Sequence, residues 1–377
     1  MKKGLLPLCL GALILLALGI SMVASVSDAQ AVRFQVDANF FIQRQLLFAG
    51  VAFILGFFVI PRLDYTLFLR RDITIALVFL IGLALVSVWI PGLADEAHKG
   101  SSRWIKLGRF QVQPSEFVRV AICILYARWC SSIRCRNENF WQGVILPLVC
   151  LVPVLALLIK QPDFGSTLLT GVMALALIYA GGAKFWHVVA VAAAGIAVLG
   201  VLLFADPEHR SRITSVYASE TADDEDTHQV NASLLAFRRG GLMGVGYGNG
   251  IMKEGYLPEA HTDFILAMTG EELGLRFTLV VVFANLLILY GGWRISRDCV
   301  DRFGKLLSFG LMLHLGMAAA ANIAVVTKIG PTKGLALPFM SYGGSNMLAS
   351  ATVLGLLLSV GRHSRTSLST APIILRR

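Results

Sequence analysis

Leu257-Pro258-Glu259-Ala260-His261-Thr262-Asp263-Phe264-Ile265 runs directly into an apolar stretch that ends near Trp293. A proline, two carboxylates, a histidine and a threonine therefore stand at the mouth of a segment with the length and composition of a membrane helix. Such groups are costly against lipid. At membrane depth they face the protein interior or a water-filled cavity, and they mark function. The rest of the chain has to supply the face of the membrane on which this border lies and the groups that meet it.

The 377 residues are 56% hydrophobic and 15% charged, with a mean hydropathy of +0.71. Soluble domains carry about 25% charged residues. A membrane-spanning backbone must satisfy its own hydrogen bonds, as helices or as a closed barrel. The apolar runs are long and continuous rather than alternating, which selects helices. The fold class is thus an all-α polytopic integral membrane protein. The net charge of +10 reports cytoplasmic loops, and no basic–aromatic pattern points to nucleic acid as a partner. Six cysteines without a CxxC pair read as buried free thiols rather than metal ligands. Met1-Lys2-Lys3 followed by Gly4 to Val26 imitates a signal peptide. Its apolar core exceeds the 7–15 residues of an h-region, so it reads as the first span.

Ten transmembrane helices are expected, at roughly 4–26, 40–60, 72–92, 112–130, 142–160, 165–182, 185–204, 263–293, 306–327 and 346–361, each near the ~20 residues a bilayer requires. Lys2, Lys3, Arg62, Arg70, Arg71, Arg128, Arg134, Arg136, Lys184, Arg294, Arg297, Arg302, Lys305, Arg362 and Arg365 fall in alternate connections. These share the cytoplasmic face, and both termini lie there. Residues 1–377 form a single membrane domain, with a cytoplasmic tail at about 362–377. The extracytoplasmic loop between helices 7 and 8, at about 205–262, is the longest connection, and such loops are functional or disordered. Its acidic run Asp223-Asp224-Glu225-Asp226 reads as a solvated surface in preference to a cation site.

Several cations break the positive-inside bias. Arg103, Lys106 and Arg109 precede span four, Lys160 ends span five, and Lys328 and Lys333 follow span nine. Singly, each is explained by snorkelling to headgroups. Together, in separate outer loops, they favour an anion site between helices that suits a lipid-linked phosphate or pyrophosphate. The last outer loop ends in Ser341-Tyr342-Gly343-Gly344-Ser345-Asn346. Ser345 or Asn346 suits a helix cap, Gly343 and Gly344 allow close backbone approach, and a helix N-terminus binds anions. Spacing alone leaves open a plain turn with a cap.

Trp104 reads as an interfacial anchor or a platform for a sugar. Gln113-Pro114-Ser115-Glu116 opens span four with helix-start residues. Gln161-Pro162-Asp163-Phe164-Gly165 makes a sharp turn between spans five and six. Glu271 and Glu272, two to three turns beyond Asp263, must face the bundle interior, where structural ion pairs are expected.

These residues together resemble the SEDS family (shape, elongation, division and sporulation). The resemblance rests on Phe41-Ile42-Gln43-Arg44-Gln45, Arg103-Trp104-Ile105, Gln113-Pro114-Ser115-Glu116 and Gln161-Pro162-Asp163-Phe164-Gly165-Ser166. It continues through Gly240-Gly241-Leu242 to Gly248, Leu257–Gly274 and Gly334 to Ser345, in order over most of the chain. Pro258-Glu259-Ala260-His261-Thr262-Asp263 is similar to the cell-division branch, since the elongation branch usually carries Arg at the position of Ala260. Arg238-Arg239 and Arg119 depart from the usual pattern.

The resemblance implies a peptidoglycan glycosyltransferase that polymerises lipid II outside the cytoplasmic membrane, at the septum. It would work with a class B penicillin-binding protein and other divisome membrane proteins. Glycan extension needs a base for the acceptor hydroxyl and positive charge for the departing pyrophosphate. Asp263 matches the family's essential Asp and is the expected base. Glu259, His261 and Thr262 would position it or the sugars. Arg103, Lys106, Lys160, Lys328 and Lys333 are candidates for the pyrophosphate. Trp104, Ser115, Glu116, Asp163, Ser341, Gly343, Gly344 and Ser345 complete the expected substrate-binding set. The family suggests assistance by a divalent cation, Mg or Mn, without metal-ligand spacing in the sequence. Two other expectations compete: a lipid II flippase, and a scaffold that only recruits the penicillin-binding protein.

Overall fold

The computed structural model describes residues 2–90, 103–108, 110–132, 139–205, 225–330 and 334–363. In chain order its helices are α1 (Lys2–Phe34), α2 (Phe40–Ile54), α3 (Arg71–Val86), α4 (Pro114–Ser131), α5 (Leu146–Lys160), α6 (Phe164–Ala180), α7 (Phe185–Ala205), α8 (Glu225–Gly240), α9 (Ile265–Asp298), α10 (Arg302–Val326) and α11 (Gly344–His363). Each of the ten expected segments contains a helix among the described residues. Seven helices among the described residues are long and apolar enough to cross a membrane, and α6 and Phe185–Val198 are shorter apolar helices. Helix α4 carries Glu116, Arg119 and Arg128, with the first two buried.

Two features differ from the sequence expectation. The segment before α4 forms a hairpin of strands β1 (Ile105–Leu107) and β2 (Phe110–Val112), with Ile105 opposite Val112 and Lys106 opposite Gln111. The stretch expected as a long loop contains α8, which packs against α9. Of the acidic run there, Asp223 and Asp224 lie outside the described residues.

Helix α11 forms the centre of the bundle, with 83% of its apolar window buried against 17% for the window containing α3. Helix α1 packs along α9 through small residues. A Cβ at Gly11 would stand 2.5 Å from the carbonyl oxygen of Ala284, and one at Gly291 2.7 Å from that of Gly4. Small residues let membrane helices approach this closely, and dispersion between them replaces the hydrophobic effect that lipid cannot supply. Cys123, Cys130 and Cys299 are buried, whereas Cys150 is exposed.

Helix α9 is interrupted at Gly274, whose φ is 79° and ψ −179°. The break orphans backbone groups that a continuous helix would pair. The connection after α8 supplies their partners. Val245 N–H donates to the carbonyl of Glu271 at 2.9 Å, Gly246 N–H to that of Glu272 at 3.0 Å, and Leu275 N–H to that of Gly241 at 2.9 Å. Irregular backbone beside a membrane helix is tolerated where protein satisfies it in this way. A Cβ at Gly274 would lie 2.5 Å from the Gly244 nitrogen. Gly274→Ala should therefore destabilise the protein by about 1–3 kcal/mol from the backbone conformation alone. The thermal unfolding midpoint of the detergent-solubilised protein measures this, and an unchanged midpoint would contradict the account.

Candidate active site

The chain reaches Asp263 through consecutive turns. Leu257 N–H donates to Met252, Ala260 N–H to Leu257, and both Thr262 and Phe264 N–H to Glu259, at 2.9 to 3.2 Å. The Thr262 hydroxyl also donates to the Glu259 carboxylate at 2.7 Å. Asp263 thus stands two residues before the first residue of α9, on a rigid coil rather than a free loop. Its carbonyl accepts from the Asn322 side-chain amide at 2.8 Å, and the same amide donates to the carbonyl of Leu335 at 2.7 Å. Its carboxylate lies against Gly334, where a Cβ would stand 2.3 Å from Oδ2. Among the described residues that carboxylate has no hydrogen-bond donor and no cation.

Burial pushes the Asp263 carboxyl up to about 7, and the charges of Glu259 and Glu116 push in the same direction. Both the loss of water and like charges disfavour the ionised form. A carboxyl so displaced, at the end of a helix bundle, is a candidate proton acceptor.

His261 serves differently. Its ring lies 4.9 Å from that of Phe41, 5.3 Å from Tyr342 and 6.1 Å from Phe34, centroid to centroid. Burial lowers its pKa to about 4, with Arg33 acting in the same sense and Glu259 against it. It is therefore neutral near pH 7 and joins an aromatic cluster. Its carbonyl accepts Tyr342 N–H at 2.9 Å. Beside it the Ser341 hydroxyl donates to the Thr262 carbonyl at 2.7 Å and accepts Leu337 N–H at 2.8 Å. Residues 334–343 therefore clamp residues 257–264.

Three helix starts are tied together at this end. Asp163 caps α6 by accepting Ser166 N–H at 3.1 Å, while its other oxygen accepts the Ser115 hydroxyl at 3.0 Å. Gln113 N–H, ahead of α4, donates to the Ser345 hydroxyl at 2.8 Å. Ser345 or Asn346 was expected to cap α11; the Ser345 hydroxyl serves α4, because the Gln113 N–H has no partner within its own helix. Asn346 donates to the Leu337 carbonyl at 3.2 Å. Gly344 begins α11 against the Phe48 ring, where a Cβ would come within 2.5 Å, and Gly343 has a φ of +153°. Helix N-termini carry partial positive charge, so their gathering favours an anionic ligand.

The expected cations disperse. Arg103 braces the α5–α6 turn, donating to the carbonyls of Gln161, at 3.0 Å, and Pro162. Trp104 is half-buried and Lys106 is exposed on β1. Lys160 lies 5.3 Å from the Trp89 ring centroid. Lys328 donates to the Asn231 side chain on α8 at 2.9 Å. Lys333 and Arg109 lie outside the described residues. Glu116 pairs with the buried Arg119 one turn along α4. Asn322 was missed by the sequence reading; the signal available was a lone amide within the apolar run of α10, a residue type that bonds across helices.

The family model FTSW_RODA_SPOVE, described as "Cell cycle protein", matches residues 6–366. The chain belongs to this family. As a member of it, with seven apolar helices of spanning length, the protein is a multi-pass membrane protein. It is 38% identical over 371 residues to "Probable peptidoglycan glycosyltransferase FtsW" of Geobacter sulfurreducens, covering 97% of this chain and 96% of the relative. It is 33% identical over 354 residues to the protein of that name in Escherichia coli O6:H1, covering 93% and 84%. Its fold is shared with the crystal structure of Thermus thermophilus rod shape determining protein RodA, with a TM-score of 0.65, 22% identity, and coverage of 94% and 96%. It is also shared with a chain from "Structural coordination of polymerization and crosslinking by a peptidoglycan synthase complex", with a TM-score of 0.70, 24% identity, and coverage of 91% and 96%.

Within this FtsW/RodA/SpoVE fold, Asp163 ties two helices and caps one of them. Asp163→Ala should lower stability by roughly 0.5–2 kcal/mol through loss of the cap, and Asp163→Asn should lower it less. Thermal midpoints of the two variants check this; equal midpoints to the parent would deny Asp163 the capping role.

Proposed function

We propose that this protein is a peptidoglycan glycosyltransferase of the FtsW type, polymerising lipid II into glycan strands for septal wall synthesis. The observation that carries the reading is Asp263: a carboxylate without a donor among the described residues, held up near 7, beside gathered helix starts. The names of relatives 32–38% identical over nearly their whole length support it. On this reading ten helices span the bilayer as one domain, and both termini lie in the cytoplasm. The connection containing α8 and Asp263 lies outside. The partners are lipid II, a class B penicillin-binding protein and other divisome membrane proteins.

Ionised Asp263 takes the proton from the acceptor sugar hydroxyl as that oxygen bonds to the donor's anomeric carbon. The bond from that carbon to the pyrophosphate oxygen breaks from the opposite side, and undecaprenyl pyrophosphate leaves with the electron pair. Inversion turns an α-linked donor into a β-1,4 bond. Glu259, His261 and Thr262 shape the coil that presents Asp263, and Ser341 holds it. Ser115, Glu116, Asp163, Gly343, Gly344 and Ser345 build the wall formed by the helix starts, whose partial positive charge favours the leaving group. Arg103, Trp104, Lys106, Lys160, Lys328 and Lys333 are assigned to the lipid II headgroup and its pyrophosphate. A divalent cation is proposed only as a companion of the pyrophosphate. Among the described residues no three His, Cys, Asp or Glu side chains are grouped to hold a metal ion.

Asp263→Asn should abolish strand formation by the purified protein with lipid II and its partner. It should also unfold at a higher temperature than the parent at pH 8. The folded carboxyl titrates near 7, above its unfolded value of about 3.9. Ionisation thus costs stability as pH rises through that window, and Asn removes the cost. Retained strands would remove Asp263 from the role. In the parent enzyme the base is lost as pH falls. The kcat/KM should therefore be half-maximal near pH 7 and drop about tenfold per unit below it; a limb near pH 4 would contradict the assignment.

A further inference from the structure

Glu271 and Glu272 are fully buried on adjacent positions of α9, yet neither is short of partners. Glu272 accepts from Lys253 Nζ at 2.8 Å, from the Ser25 hydroxyl of α1 at 2.6 Å, and from Gly248 N–H at 2.9 Å. Glu271 accepts from Ile251 N–H at 3.0 Å, Met252 N–H at 3.2 Å and Arg239 Nε at 3.1 Å. Lys253 is itself buried and donates further to the carbonyls of Gly248, at 2.7 Å, and Ser25, at 3.1 Å.

These bonds close a ring. Residues 248–253 are pinned to α9 at positions 271 and 272, and Asp263 lies on the arc between. From the pinned Met252 the turns run through Leu257 and Glu259 to Phe264. About two helical turns separate Asp263 from Glu271, roughly 12 Å along the axis. Both ends of the arc are therefore referred to the same two carboxylates.

We propose that Glu271, Glu272 and Lys253 form a clasp that positions Asp263 for the transfer reaction. The role rests on Asp263 being the base, as proposed above. The clasp residues touch no reacting atom and are positioning residues. Opening the clasp lets the arc move as a unit, and a misplacement of about 1 Å at a reacting group costs up to ~100-fold in rate. Movement also admits more water to Asp263, which is already partly exposed. The charged groups acting on Asp263 are Glu259 from its own coil and Glu116 from α4, while Asn322, Gly334 and Leu335 present uncharged groups. Hydration thus acts against the dominant cause of the displaced titration, and its acid limb moves to lower pH.

The test compares Glu272→Gln, Lys253→Met, Lys253→Arg and Ser25→Ala, each purified with its partner and assayed on lipid II. Glu272→Gln and Lys253→Met should lose about 10–100-fold in kcat, with KM changed by less than about threefold. Their acid limb should shift down by about one pH unit. Lys253→Arg should retain most of the rate. Ser25→Ala, which leaves the ion pair in place, should lose less than Lys253→Met and serves if the others fail to fold. Unchanged kcat in folded Glu272→Gln, or losses that follow the folded fraction with an unmoved acid limb, would overturn the proposal. Hydrogen exchange at Gly248, Ile251 and Met252 reads the clasp without activity. Faster exchange in Glu272→Gln combined with strand formation by Asp263→Asn would fault the choice of base, whereas unchanged exchange would fault the clasp itself.

Discussion

Two buried carboxylates on one turn of a membrane helix must be neutralised by their surroundings. The desolvation penalty is several kcal/mol per ion, recovered only with good geometry and further hydrogen bonds. Glu271 and Glu272 obtain both from Arg239, Lys253, Ser25 and three backbone N–H groups. That requirement dictates much else. It draws the chain after α8 against α9, and the broken turn at Gly274 accepts that chain by exchanging backbone hydrogen bonds with it. Connection and break are mutually dependent: without the connection the carbonyls of Glu271 and Glu272 would lack donors, and without the break Gly244 would have no room.

Asp263, eight residues away from Glu271, is treated in the opposite manner. No described donor or cation meets its carboxylate, and the charges of Glu259 and Glu116 repel it. The contrast is the one expected between a structural acid and the base proposed above. An acid satisfied by three donors, as Glu271 and Glu272 each are, is a poor base, because proton transfer would break bonds that hold the fold. An acid left unsatisfied in a packed setting is expensive, and the surrounding clamp must carry that expense. Asn322, Ser341 and the aromatic cluster around His261 supply the clamp, mostly through backbone carbonyls.

The same economy explains the helix starts. Polar residues at the beginnings of α4, α6 and α11 bond chiefly to one another, through Asp163, Ser115, Gln113 and Ser345. Three helix starts are thereby locked together. Their N-terminal partial positive charge suits the leaving group proposed above.

Composition and charge pattern alone determined that the chain is helical and crosses a membrane repeatedly, because continuous apolar runs admit no other solution in lipid. Each of the ten expected segments contains a helix among the described residues, and the border at Leu257–Ile265 was visible as the place where acids meet an apolar run. The expectation that Glu271 and Glu272 are paired could likewise be read from their burial in such a run. Their partners could not: Arg239 and Lys253 lie 32 and 19 residues away, and nothing local distinguishes them from other loop cations. The same holds for Asn322 beneath Asp263, and for Ser345, which serves a neighbouring helix rather than its own. Periodicity and hydropathy are properties of short windows, whereas a buried charge is settled by whichever distant group the packing brings within 3 Å. The tertiary structure alone therefore decided that Glu271 and Glu272 are satisfied, while no donor among the described residues meets the Asp263 carboxylate.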